Sequence, residues 1–165
     1  MRRKLMPLGV VLVALFLFAC TKEGTEPSTR KFISFKLDGV PYATELHSGT
    51  LFLPTSPDPL YNFSALYATA LNDHGARAII SLKSEEAELK PGVYTSTKAG
   101  NSLSITLPFE GNDYLADDQT GDMTFQIYAK RDSVIEGSFA GTVTDAFGIP
   151  RTVSNGAFRI VYTSY

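Results

Sequence analysis

Cys20 is the only cysteine in 165 residues, and its neighbours give its thiol a defined chemistry. Leu17, Phe18 and Ala19 lead into it: an aliphatic residue at −3, a small one at −1, then the nucleophilic sulfur. This is the pattern of a lipobox, where diacylglycerol is transferred to the thiol, the leader is cut before it, and the new amine is acylated. Arg2, Arg3 and Lys4 form a basic head, and the fifteen residues from Leu5 to Ala19 are almost wholly apolar, with Pro7 and Gly9 among them. That length suits a secretory leader, because crossing a bilayer takes about 20 apolar residues. Phe18 is bulkier than the small residue usual at −2. Each buried CH₂ adds about 0.8 kcal/mol, so two or three acyl chains hold a protein on a membrane essentially permanently.

Other residue types with chemical potential are few. Asp113, Asp117, Asp118 and Asp122, with Asn112 and Gly121, make an acidic stretch that supplies the oxygens a hard cation such as calcium needs. Their spacing departs from an EF-hand, and acidic loops between strands are commonplace, so no metal and no cofactor is expected. His47 and His74 lack ligand spacing, and with the sole thiol lipidated a cysteine-containing zinc site has no sulfur. No Gly-x-Ser-x-Gly elbow accompanies them, and Glu85, Glu86 and Glu88 read as a solvated face, although paired carboxylates serve glycosidases. No catalytic residue is expected. Asp132-Ser133-Val134 fits an Asp-Ser/Thr-aliphatic acceptor for O-glycosylation, which would fall on Ser133.

Removing residues 1–19 leaves 146 residues, enough for one domain with a substantial core. With three of the 15 Lys+Arg in the leader, 12 remain against 17 Asp+Glu, a mature net charge of −5. A mildly acidic chain without a basic run is a poor partner for nucleic acid. Residues 20–31 carry no apolar residue after Cys20 and are expected to be a flexible tether.

Residues 32–165 read as a single antiparallel all-β domain of about 8–10 strands. Ile33, Phe35 and Leu37 alternate with polar residues, and Asp38-Gly39 supplies the two φ > 0 positions of a type I′ turn into Val40, Tyr42 and Thr44. This register puts Pro41 opposite Lys36, its missing N–H turned outward, so residues 40–46 are expected at an edge. Ser48–Pro59, with Pro54, Pro57 and Pro59, reads as a loop. Tyr61, Phe63, Ala65, Tyr67 and Leu71 share one parity, while Leu60, Phe63, Tyr67 and Leu71 also have helical spacing. The density of aromatics and the β-like run Ala76–Leu82 after Asn72-Asp73-His74-Gly75 favour a strand, with rings on the apolar parity read as core. Ser84–Ala87 reads as a capped helical turn and Glu110–Asp122 as a polar loop. Leu103, Ile105 and Leu107, then Met123, Phe125, Ile127 and Ala129, then Ile135, Phe139 and Val143, face inward, with Gly137 and Gly141 leaving room for the larger side chains. Val153 lies on odd parity and Phe158, Ile160 and Tyr162 on even parity, which predicts a β-bulge at Asn155-Gly156. A β-sandwich is the leading expectation and a closed, lipocalin-like barrel the alternative.

The run from Ile33 to Tyr42 resembles the opening of many Bacteroidetes lipoproteins, in which a short strand leads into Asp-Gly and an aromatic. Leu89-Lys-Pro-Gly-Val-Tyr resembles their Leu-x-x-Gly-x-Tyr turn, and Ile135-Glu-Gly-Ser-Phe-Ala-Gly with Val153-Ser-Asn-Gly-Ala-Phe-Arg-Ile resembles their glycine-aromatic ending. Lys22-Glu23 resembles the short charged export signal of surface-exposed members. The resemblance spans most of residues 31–162 and implies an uncharacterised lipoprotein family at the outer membrane, facing the cell surface or the periplasm, with no catalytic residues to carry over. The function expected is non-enzymatic: a membrane-held binding or accessory module for a glycan or protein partner. The alternatives are an assembly subunit working by strand addition and a loop-built hydrolase.

Overall fold

The computed structural model describes residues 30–54 and 63–165. Leu17, Phe18, Ala19, Cys20 and most of the expected tether lie outside the described residues, as do Pro57, Pro59 and Tyr61. The strands are β1 (Phe32–Leu37), β2 (Val40–Phe52), β3 (Ser64–Leu71), β4 (Arg77–Ser84), β5 (Gly92–Thr95), β6 (Ser102–Leu107), β7 (Asn112–Ala116), β8 (Asp122–Arg131), β9 (Val134–Asp145), β10 (Pro150–Val161) and β11 (Thr163–Ser164). No helix occurs among the described residues. In place of the helical turn expected over Ser84–Ala87, Ser84 ends β4 and residues 85–88 form a bend, although Ser84 Oγ does accept a hydrogen bond from the Glu86 N–H at 3.2 Å.

The local hairpin chemistry holds. Asp38 and Gly39 adopt φ of 48° and 84°, as a type I′ turn requires, and Leu37↔Val40 and Phe35↔Tyr42 pair across it. The β10 register against β9 slips between Val153 and Gly156, with Asn155 at φ 52°, so the bulge stands where the parity change put it. A second bulge in β2, between Leu46 and Ser48, carries the exposed His47. It hides the continuation of β2 to Phe52, so the loop expected from Ser48 starts only at Leu53. The loop expected over Glu110–Asp122 contains β7, whose Tyr114 and Ala116 are buried.

The strand order is β10-β1-β2-β3-β4-β6-β7-β9, and β9 pairs back onto β10. Eight strands of one sheet therefore close into a barrel, with β8 and β5 branching from β9. A sandwich needs two sheets; here the single sheet returns to its start, and the barrel alternative is the one that fits. The decision is non-local. Phe32–Leu37 finds Val153–Arg159 at the far end of the chain. All pairings are antiparallel except that of β11, which runs parallel to β2 at Thr50 and Leu51.

The interior is filled by side chains. Phe35, Phe139 and Phe158 form a column of rings with neighbouring centroids 6.2 and 6.3 Å apart, and Phe125 joins it at 6.1 Å from Phe139. Each of two rings is paired with a glycine: Phe158 with Gly137 and Phe139 with Gly156. A Cβ on Gly137 would stand 2.4 Å from the Phe158 ring, and one on Gly156 would stand 2.6 Å from the Phe139 ring. Gly141 instead lets the β8 backbone approach, since its Cβ would meet the Asp122 carbonyl oxygen at 2.0 Å.

Candidate functional site

Strand direction gives the barrel two unlike ends. The hairpin turns Asp38–Gly39, Asn72–Ala76, Pro108–Gly111 and Ala146–Ile149 crown one end. β1 rises toward that end, so the chain enters the barrel from the other, where β2 ends at Phe52, β9 begins after the Asp132–Ser133 turn, and β11 finishes.

The crowned rim holds a connected polar cluster. Tyr42 stacks on Phe35 at 5.4 Å and donates its hydroxyl to Glu110 Oε1 at 3.3 Å. Tyr114, 1 % exposed, donates to Glu110 Oε2 at 3.0 Å, so one carboxylate holds two phenols from different strands. The Arg151 guanidinium lies 5.5 Å over the Tyr114 ring and donates to the Asp38 carboxylate, whose other oxygen accepts the Thr152 N–H at 2.8 Å. Burial and then the Glu110 carboxylate hold the Tyr42 and Tyr114 phenols above their ordinary value. The Thr152 N–H, helped by Arg151, holds the Asp38 carboxyl below its own.

Beside this cluster lies a notch of about 310 Å³, walled by Pro41–Ala43, by Asn72, His74 and Ala76, and by Leu107–Glu110. It exists because β3 stops at Leu71 opposite Glu45, leaving Val40–Thr44 paired only with β1. The edge expected around Pro41 is thus real over these residues, while from Glu45 onward β2 is paired to β3. Ala43 turns its N–H and C=O into the notch, and Pro41 only a C=O. His74 packs edge-on against Phe109 with centroids 6.3 Å apart, and Phe109 is 82 % exposed. Phe147, 83 % exposed, projects from the neighbouring turn.

The other sequence candidates lie apart from the rim cluster. Among the described residues no three His, Cys, Asp or Glu side chains gather to hold a metal ion. Asp117 is used within its own turn: its Oδ1 accepts the N–H groups of Gln119 and Thr120, both at 2.9 Å, and these bonds lower its pKa. Asp113 is exposed on β7, and Asp118 and Asp122 are exposed beyond it. Glu86 and Glu88 pair with Lys90 and Lys130 at 2.5 and 2.6 Å, and Glu85 is exposed. Ser133 is exposed in a two-residue turn at the end opposite the rim. Among the described residues neither imidazole bonds to a serine hydroxyl or a carboxylate.

The aromatic parity of β3 is inverted relative to expectation. Leu66, Ala68 and Ala70 line the interior, while Ala65 and Tyr67 face outward. Tyr67 meets Phe52 edge-on at 5.9 Å, and both belong to an apolar groove of about 810 Å³ with Thr50, Leu53, Phe63, Ala65 and Tyr165. The sequence named neither this groove nor the rim cluster. Tyr42 and the Asp38 turn were visible in it; Glu110, Tyr114 and Arg151 become neighbours only when the ring closes. No family model matches the chain, and no match to a curated protein or to a solved structure was found.

Proposed function

We propose that this chain is an exported lipoprotein, anchored to the outer membrane through Cys20, that works without catalysis as a binding module. Its barrel has the meandering strand order of lipocalin-like proteins, but the ring column fills the lumen, so the ligand binds at the rim. The observation that carries this reading is the rim notch, which faces away from the end where the tether meets the barrel. The exposed Phe109, with Glu110, Asn72 and Tyr42, lines it. An exposed ring beside hydrogen-bonding groups is the chemistry that grips a glycan. Burial and the Glu110 carboxylate keep both phenols neutral, and the Thr152 N–H with Arg151 keeps Asp38 ionised, so the cluster holds a fixed set of hydrogen-bonding groups beside the notch.

Two experiments test the reading. Palmitate should label wild type and not Cys20→Ser; equal labelling ends the lipoprotein assignment. Titration with cell-surface oligosaccharides, followed by NMR, should shift the resonances of Phe109 and Tyr42, and Phe109→Ala should weaken binding about two- to tenfold, since ring contacts contribute about 0.5–1.5 kcal/mol. Saturating oligosaccharide without shifts at the rim sinks the glycan assignment. A second reading, strand addition to a protein partner, is favoured by the open edge of Val40–Thr44 on the side away from β1 and opposed by Pro41, which leaves Ala43 as the donor there.

A further inference from the structure

The groove on the outer wall of β2 and β3 has a different character from the rim. Phe52, Leu53, Tyr67 and Tyr165 are exposed and Phe63 half-buried along it, with no acidic side chain among the described lining residues. A cation stands at its border, Lys83 Nζ, 4.3 Å from the centre of the Phe63 ring. The groove lies toward the end from which the chain enters the barrel. Phe52 closes β2 there, Phe63 immediately precedes β3, and Tyr165 follows β11, its N–H donating to the Leu51 carbonyl at 3.0 Å. Resting on the anchor at Cys20, we propose that this groove is a second, non-covalent contact with the phospholipid bilayer, so that the barrel lies against the membrane with its crowned rim turned outward.

Three observations point to lipid as the occupant. Tyrosine and phenylalanine rings with a bordering lysine are the side chains that settle at the headgroup boundary, the rings toward the acyl chains and the ammonium toward phosphate. Among the described residues the lining offers one hydroxyl, from Thr50, besides those of Tyr67 and Tyr165, too few to orient a sugar or a peptide backbone. The eleven residues Thr21–Lys31 span at most roughly 35–40 Å, so a lipid on Cys20 keeps this wall within reach of the bilayer continuously. A tethered surface needs little affinity of its own, because the anchor already supplies a high effective concentration.

The experiment uses the full acylated protein in vesicles of phosphatidylethanolamine and phosphatidylglycerol. Acylation blocks Cys20, so a nitroxide placed at Thr50→Cys, or at Asp73→Cys on the rim as control, is the only label. Oxygen should relax the Thr50 label several-fold more effectively than a water-soluble nickel complex does, with the preference reversed at Asp73. Adding Phe52→Ser and Tyr67→Ser should return the Thr50 label to the aqueous pattern while the protein still floats with the vesicles. An aqueous Thr50 label on floating, palmitate-bearing protein overturns the proposal and gives the groove to a soluble partner or to residues 55–62 of the same chain. Dipolar broadening between Thr50 labels overturns it in favour of a second copy. A protein that neither floats nor carries palmitate removes the anchor reading, and the membrane contact with it.

Discussion

Two walls of this barrel carry aromatic rings on opposite sides. On β9 and β10, Phe139 and Phe158 point inward, each across from a glycine on the neighbouring strand. On β2 and β3, Phe52 and Tyr67 point outward, and the inner positions of β3 and β4 are held by Leu66, Ala68, Ala70, Ala78, Ile80 and Leu82. An eight-stranded barrel has room for side chains to fill its interior and little more. Once the rings from β1, β8, β9 and β10 occupy that volume, the inner face of β3 and β4 contributes aliphatic residues, half of them alanine, and Phe52 and Tyr67 take the outside. Position in the ring, more than hydrophobicity, decides which aromatic is core and which is surface.

Substitutions on the two walls should separate accordingly. Phe139→Ala, which empties the centre of the column, should lower stability by about 3–5 kcal/mol, read as a shift in the urea midpoint. A loss below 1 kcal/mol would mean that the column does not hold the walls together. Gly156→Ala comes next, at about 1–3 kcal/mol, because its methyl meets both the Phe139 ring and the Phe139 carbonyl oxygen, the latter at 2.3 Å. Tyr67→Ser on the outer wall should change stability by no more than about 0.5 kcal/mol. A cost as large as that at Phe139 would make Tyr67 a structural residue and erase the contrast. The smallest effect belongs to the rim. Asp38 titrates lower in the fold than its ordinary 3.8, so its contribution is present above that pH and fades as pH falls through the folded value. Asp38→Asn should flatten the acid limb of the melting-temperature profile, and an unchanged limb would show that the Arg151 and Thr152 contacts are not felt in solution.

The sequence made some of this visible and concealed the rest for physical reasons. Asp38-Gly39 and the Asn155 bulge were legible because turn geometry and parity are written in adjacent residues. The inward faces of β9, of β8 from Met123 to Ile127, and of β10 on either side of its bulge were legible because alternation runs unbroken within each stretch. Ala129, expected inward, instead pairs with Glu136, because the β8 register slips between Ile127 and Ala129. β7 was not, since its five residues begin with Asn112 and Asp113, and pairing with β6 outweighs their poor strand propensity. The face of β3 was misread because period two gives two faces without saying which is in; Ala68 and Ala70 look like weak core until the opposing rings are known. The rim cluster draws on β1–β2, β6–β7 and β10, segments whose meeting no local pattern announces.

The pairing of β1 with β10 also constrains how the molecule comes into being. The first strand of the ring waits for the last long one, with Phe32 set against Arg159. Until that partner is synthesised and delivered, β1 keeps one backbone edge open even after β2 has found β3, and closing so long a loop is slow. A chain released across a membrane from its N-terminus would spend most of that passage unclosed, exposing the rings later stacked within it. For such a chain, a holding chaperone and the order of emergence matter as much as final stability.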